Sequence, residues 1–432
     1  MKLLFWKTLF DFFKPERVFD AVLRSSFINI LARGFGYLKN LAIAIFLGFS
    51  YQTDGFFMAL SLLGVFLIFV DVFDSIGVPN LVQARLKDMK EFESLAGLLL
   101  TFTGVLAISL TALAFFTLPL LLKVPFGFKE YALEYTKSSF LLLLPYLFCS
   151  FFFHHFGAVL RSQRLFTSYF LGEFIFSFFS FLFIGLGLYL WRDVRVIPVS
   201  FSLAQALSTL YLAYLARTHL RFRFFYDGRV LVMFKQFLML LALYGVFHLF
   251  VLADRAFASV VGEKGVSALT YGSMLAFVPR GIIKFEHIAI TSLSEVGGAW
   301  EKLMFYTKKL ILLGSAFALF FFIFSDMLVI LFFRHGAFTQ TDASLTAMAT
   351  RFYALSLPFV ILWPVFFRTF QIKNEFSQVF FVALAGILVN IVLKYYFVMV
   401  LKLGIIGICL GTFFAHIVLC GLSFWFLRKL AN

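Results

Sequence analysis

Two pairs of cations stand in stretches where apolar sequence runs on both sides. Arg33 and Lys39 lie in LARGFGYLKN (31–40), and Arg280 and Lys284 lie in VPRGIIK (278–284). A lone cation at mid-bilayer costs at least ~2.5–3.5 kcal/mol on insertion scales, so each needs a partner or a wet cavity. An arginine fork grips phosphate oxygens bidentately and a lysine adds a point charge, so these residue types fit an anionic ligand such as a diphosphate. Arg280 and Lys284 are four residues apart and share a helix face. Gly34 and Gly36 let the first helix flex or approach a neighbour. The competing role is structural: Arg33 could pair with Asp71 or Asp74, and Lys284 with nearby Glu286.

A second constellation combines a carboxylate, an amide, an ammonium and a hydroxyl: Asp254, Asn390, Lys394 and Thr412. Counted along their helices they fall at similar depth, so an ion pair between Asp254 and Lys394 is expected, with Lys394 reaching to headgroups as the alternative. Asp54 follows Thr53 at a helix start, where a carboxylate meets the positive end of the dipole; it reads as a cap or gate residue. Glu173 is a further membrane carboxylate, fit for a proton relay or a hydrogen-bonded structural role. Cys149, Cys409 and Cys420 lack metal-ligand spacing and read as small core residues. Neither a metal, a cofactor nor a catalytic nucleophile is expected.

The elements that must position these residues are membrane spans. Of 432 residues, 62% are hydrophobic and 14% charged, and the mean hydropathy is +0.97. Stretches of about 20 apolar residues, each long enough to cross ~30 Å of hydrocarbon, recur from end to end. Twelve spans are expected at 25–48, 53–75, 94–122, 134–159, 167–191, 196–216, 236–260, 266–292, 304–333, 343–367, 377–401 and 404–427. The fold class is therefore an all-α polytopic membrane protein. The net charge of +15 sits in short loops, which points to topology and anionic membrane lipids and away from nucleic acid. Loops such as Arg217–Lys235 and Arg428/Lys429 alternate with poorer ones such as Lys123/Lys129 and Lys402, which places both termini in the cytoplasm. Residues 1–24 read as an amphipathic segment on that membrane face, not as a cleavable leader.

The two halves resemble each other. NLAIAIFLG (40–48) aligns with DRAFASVVG (254–262), LLPYLF (143–148) with SLPFVI (356–361) and RLFTS (164–168) with NEFSQ (374–378), at offsets of 214, 213 and 210. Two six-helix bundles, 25–216 and 236–432, joined by a basic linker at 217–235, are expected. A pseudo-two-fold along the membrane normal would relate them around a central cavity, which is an alternating-access architecture.

LARGFGYLKNLAIAIFLGFSYQTDGFFMAL (31–60) resembles the opening signature of the MurJ (MviN) lipid II flippases, in the multidrug/oligosaccharidyl-lipid/polysaccharide exporter superfamily. The matching positions are Arg33 before Gly34-Phe35, the second cation Lys39, and the run Thr53-Asp54-Gly55-Phe56-Phe57. DRAFASVVGEKGVSALTYGSMLAFVPRGI (254–282) and LFFRHGAFTQTDASLTAMATRFYALSLP (331–358) resemble later segments of that family. The chain departs from it on span 2, where the family's Asn and Arg correspond to Gly64, Leu67 and Ile68, and on span 8, where its Arg corresponds to Met274. Arg280 is expected to take over that function. Two further helices, which in the family shape a groove for the lipid tail, have no counterpart before Asn432. Some members of the family bind sodium through an Asp on span 7 and an Asn plus an acid four apart on span 11. Asp254 and Asn390 fit that pattern, but Lys394 stands where the second acid belongs, so the ion site reads as degenerate and filled by a tethered cation.

The resemblance implies a monomeric flippase of the bacterial inner membrane, and no enzyme. Its substrate partner would be a polyprenyl-diphosphate-linked saccharide, foremost the peptidoglycan precursor lipid II. The nearest alternative is an O-antigen or capsule unit. A drug/cation antiporter would want an acidic site, whereas this one is basic.

Overall fold

In a bilayer the backbone finds no water, so each spanning segment must satisfy its own N–H and C=O groups, and apolar runs become helices. The computed structural model describes residues 18–219, 222, 228–282, 293, 298–373 and 375–431. Among them there is no strand. The helices are α1 (Val18–Leu47), α2 (Tyr51–Lys87), α3 (Met89–Leu121), α4 (Glu130–Ser162), α5 (Phe166–Trp191), α6 (Val196–Ala216), α7 (Gly228–Val261), α8 (Gly265–Ala276), α9 (Val278–Ile282), α10 (Trp300–Phe333), α11 (Gln340–Ala354), α12 (Leu357–Ile372), α13 (Phe376–Lys394) and α14 (Gly404–Lys429). A 3-10 turn (Arg217–His219) follows α6, and a π-helix (Tyr395–Val400) follows α13.

Among the described residues ten helices are long and apolar enough to cross a membrane, eleven if α11 and α12 form one bent crossing. The expected count of twelve is not reached, because span 8 (266–292) is described only to Ile282 and is broken into α8 and α9. Pro279 explains the break: it lacks an N–H, and its ring opposes the carbonyl four residues back. Span 10 (343–367) is likewise two helices bent by 48°, with Pro358 in the first turn of α12. Several helices outrun their apolar cores. α2 has 37 residues, or about 56 Å at ~1.5 Å per residue, and so continues past the charges that end its apolar run. α7 begins at Gly228, inside the stretch expected as linker. Lys284 and most of the expected surface segment 1–24 lie outside the described residues.

The helices pack as two compact units. The first holds α1 up to Phe46, Leu62–Leu121 and Lys137–Leu241; the second holds Leu47–Ser61, Leu122–Thr136 and the chain from Ala242 onward. The start of α2 and the start of α4 thus belong to the second unit. In the first unit α5 packs along α6, and in the second α8, α10 and α14 all pack on α11. Small residues allow the closest approaches: a Cβ on Gly272 of α8 would stand 2.4 Å from Ala349 Cβ of α11. Among the described residues, four non-glycine residues at helix ends have positive φ, and all are basic: Arg164 (64°), Arg192 (50°), Lys264 (78°) and Lys402 (55°).

Candidate functional site

The second unit encloses a buried charged cluster. Lys394 is the last residue of α13, just before the π-helix, whose wider turn alters the direction in which neighbouring side chains leave the axis. Its Nζ forms an ion pair with Asp254 Oδ1 of α7 and donates to Asn390 Oδ1 at 2.6 Å. Thr412 Oγ1 of α14 donates to Asp254 Oδ1 at 2.8 Å, and Tyr353 Oη of α11 donates to Oδ2 at 2.7 Å. The Lys394 side chain has no exposed surface, and its Nζ lies 5.9 Å from the Phe250 ring centroid. Gly411 makes room for the lysine stem, since a Cβ there would stand 2.6 Å from Lys394 Cγ. All four residues singled out by depth, Asp254, Asn390, Lys394 and Thr412, are therefore in one cluster. Lys394 points into the bundle, away from headgroups. The carboxylate is served by an ammonium and two hydroxyls, so a buried charge is compensated as its burial requires.

The cations on α1 are placed differently from each other. Arg33 is exposed and makes no ion pair with Asp71, while the Asp74 side chain lies outside the described residues. Lys39 is only 8% exposed. Its Nζ sits 4.1 Å from the Phe201 ring centroid and 5.4 Å from that of Phe176. Six residues apart on one helix, the two cations leave it on different faces. The aromatic packing of α5 and α6 takes up the Lys39 side chain. Both residues belong to the first unit and the half-buried Arg280 of α9 to the second. On α5, Glu173 Oε1 accepts from Tyr169 Oη at 2.8 Å.

Asp54 acts on a helix other than its own. α2 is capped by Ser50 and Thr53, with Ser50 N donating to Thr53 Oγ1 at 2.9 Å. α8 is preceded by Lys264, a left-handed residue whose side chain provides no cap. Asp54 supplies one from 210 residues away: Oδ2 accepts from Lys264 N at 2.7 Å, and Oδ1 accepts from Ser267 N at 2.7 Å and from Ser267 Oγ. Lys264 Nζ in turn donates to Asp342 Oδ1 at 2.9 Å. Asp342 closes a capping box with Thr339 at the start of α11. Asp54 is 1% exposed, and it holds the starts of α2 and α8 together. The Thr339-x-x-Asp342 spacing is a capping signature legible in the sequence, whereas Tyr353, Ser267 and Gly411 carry no such signal.

Comparisons with known proteins agree with this architecture. The profile of the family described as "Lipid II flippase MurJ" matches residues 43–432. A probable lipid II flippase MurJ of Aquifex aeolicus (strain VF5) is 26% identical over 398 residues, covering 85% of this chain and 77% of that one. One of Thermotoga maritima is 29% identical over 169 residues, covering 38% of this chain and 35% of the relative. Among solved structures, a lipid II flippase MurJ in an inward closed conformation superposes with a TM-score of 0.80 at 20% identity, covering 94% of this chain and 87% of that one. An inward-facing multidrug resistance MATE family transporter of the MOP superfamily gives 0.72 at 19% identity, covering 94% and 100%. At these identities the structures speak for a shared fold.

Proposed function

Because the chain belongs to the MurJ family of lipid II flippases, transporters and not enzymes, we propose that it moves lipid II from the inner to the outer leaflet of the bacterial cytoplasmic membrane by alternating access. Both termini are cytoplasmic in this reading, the basic loops contact anionic lipids, and the protein works as a monomer. Arg33, Lys39, Arg280 and Lys284 are the residues that meet the diphosphate as it crosses. The observation that carries the reading is Arg33: an exposed guanidinium in an apolar helix, which makes no hydrogen bond or ion pair among the described residues. Such a charge is costly in lipid and useful to a phosphate. Asp54 acts as the gate residue. Lys394 fills the ion site of Asp254, Asn390 and Thr412 as a tethered cation. Transport then needs no sodium, and is driven by membrane potential or by removal of the flipped substrate.

Since Arg33 makes no hydrogen bond or ion pair among the described residues, Arg33→Ala should insert and fold as wild type does. Flipping of fluorescent lipid II in proteoliposomes should fall by on the order of a hundredfold, the loss of one charge-assisted bidentate contact in a low-dielectric site. Full activity of this variant would reduce Arg33 to a bystander and remove the support for the reading. Depleting the protein in cells and identifying which lipid-linked intermediate accumulates separates lipid II from an O-antigen or capsule unit.

A further inference from the structure

We propose that Phe176 and Phe201 are positioning residues that park the Lys39 ammonium while no anion is bound, and so limit how tightly the diphosphate headgroup is held. The inference rests on the reading above, in which Lys39 meets that headgroup. Its basis is the contrast between two buried lysines. Lys394 is locked by a carboxylate and an amide oxygen. Lys39 is nearly as buried, yet its partners among the described residues are ring faces, at 4.1 Å from Phe201 and 5.4 Å from Phe176. Those rings are themselves well held. Tyr146 of α4 packs on Phe176 at 5.9 Å and on Phe201 at 5.8 Å, and the two phenylalanines pack on each other at 5.9 Å. Asp71, in the same unit, makes no ion pair with Lys39.

A ring face attracts a cation through its quadrupole but accepts none of the three ammonium protons in a strong hydrogen bond. The parked state is thus held, though incompletely satisfied. A diphosphate offers both charge and acceptors and draws the ammonium off the rings. Every such binding event must first unpark the lysine, so the apparent dissociation constant is raised by the inverse of the unparked fraction. A headgroup gripped through a taxed contact is released more readily once it has crossed. A carboxylate in place of the rings would hold Lys39 permanently, as Asp254 holds Lys394.

The test uses full-length protein in nanodiscs, labelled with carbon-13 at lysine Cε, with Lys39→Arg identifying the Lys39 resonance. Ring currents should displace that resonance upfield in the unliganded protein, and geranylgeranyl diphosphate should return it towards the position of an unshielded lysine. Phe201→Leu should abolish the displacement and tighten binding of geranylgeranyl diphosphate by on the order of tenfold, the scale of a desolvated cation–ring contact. Phe201→Tyr should restore both wild-type values. A purely structural wall residue predicts unchanged or weaker binding in Phe201→Leu, and that result overturns the proposal. Binding of the diphosphate to wild type without movement of the Lys39 resonance also overturns it, while leaving the substrate reading intact. No binding of the diphosphate at all removes both.

Discussion

Lys394→Ala is expected to destabilise the protein by about 3–5 kcal/mol, because it leaves the Asp254 carboxylate buried without its counter-ion. Two hydroxyl donors remain, from Tyr353 and Thr412, but neither carries charge. The loss should lower the melting temperature in detergent by roughly 10 °C, given the scaling for domains of this size. Lys394→Asp should behave differently according to the salt. The introduced carboxylate would join the oxygens of Asp254, Asn390 and Thr412, a set of hard ligands with net negative charge. Sodium at a hundred times its dissociation constant should then restore about 2.7 kcal/mol of stability, and flipping by this variant should require it. Wild type should melt and flip equally in matched sodium and potassium. A wild-type preference for sodium would show that Lys394 does not stand in for a free cation, whatever its geometry.

Asp54→Ala should loosen the start of α8. The substitution strips acceptors from the backbone N–H groups of Lys264 and Ser267 and from the Ser267 hydroxyl. Each buried donor left unpaired costs about 1–3 kcal/mol, and the loss of a negative charge at a helix N-terminus adds to that. Amides in the first turn of α8 should therefore exchange with deuterium at least about tenfold faster, as expected for a loss of more than about 1.4 kcal/mol of local protection. Lys264→Ala is the internal control. It deletes the Nζ contact to Asp342 but keeps the backbone donor to Asp54, so its effect on the same amides should be much smaller. Equal exchange in Asp54→Ala and wild type would show that the cap contributes nothing to the stability of this helix start.

Much of this was legible in the chain because a helix is a ruler. Asp254 and Lys394 could be paired by counting at ~1.5 Å per residue along helices that run in the same direction, and their side chains meet. Span limits were less legible, because hydropathy stops at the first charge while the helix, as in α2, does not. The bends at Pro279 and Pro358 were written in the sequence, but an apolar run reads continuously through a proline. The ring contacts of Lys39 are not legible, because nothing marks Phe176 and Phe201 among 67 phenylalanines; only the packing of α5 on α6 selects those two. Asp54 was legible as a cap, but not as the cap of a helix starting more than two hundred residues later, since local sequence names a cap's chemistry and only the fold names its recipient.

The basic residues with positive φ have a practical consequence for preparing the protein. A left-handed backbone costs an L-residue roughly 1–2 kcal/mol, and glycine pays none of it. Part of that gain is returned through the greater freedom of glycine in the unfolded chain. Arg164, Arg192 and Lys402 are exposed, so glycine there would give up little buried packing. Exchange at these three sites offers a route to a more detergent-tolerant protein, at the cost of one surface charge each. Lys264 is the exception: the same backbone relief there would forfeit its ion pair with Asp342.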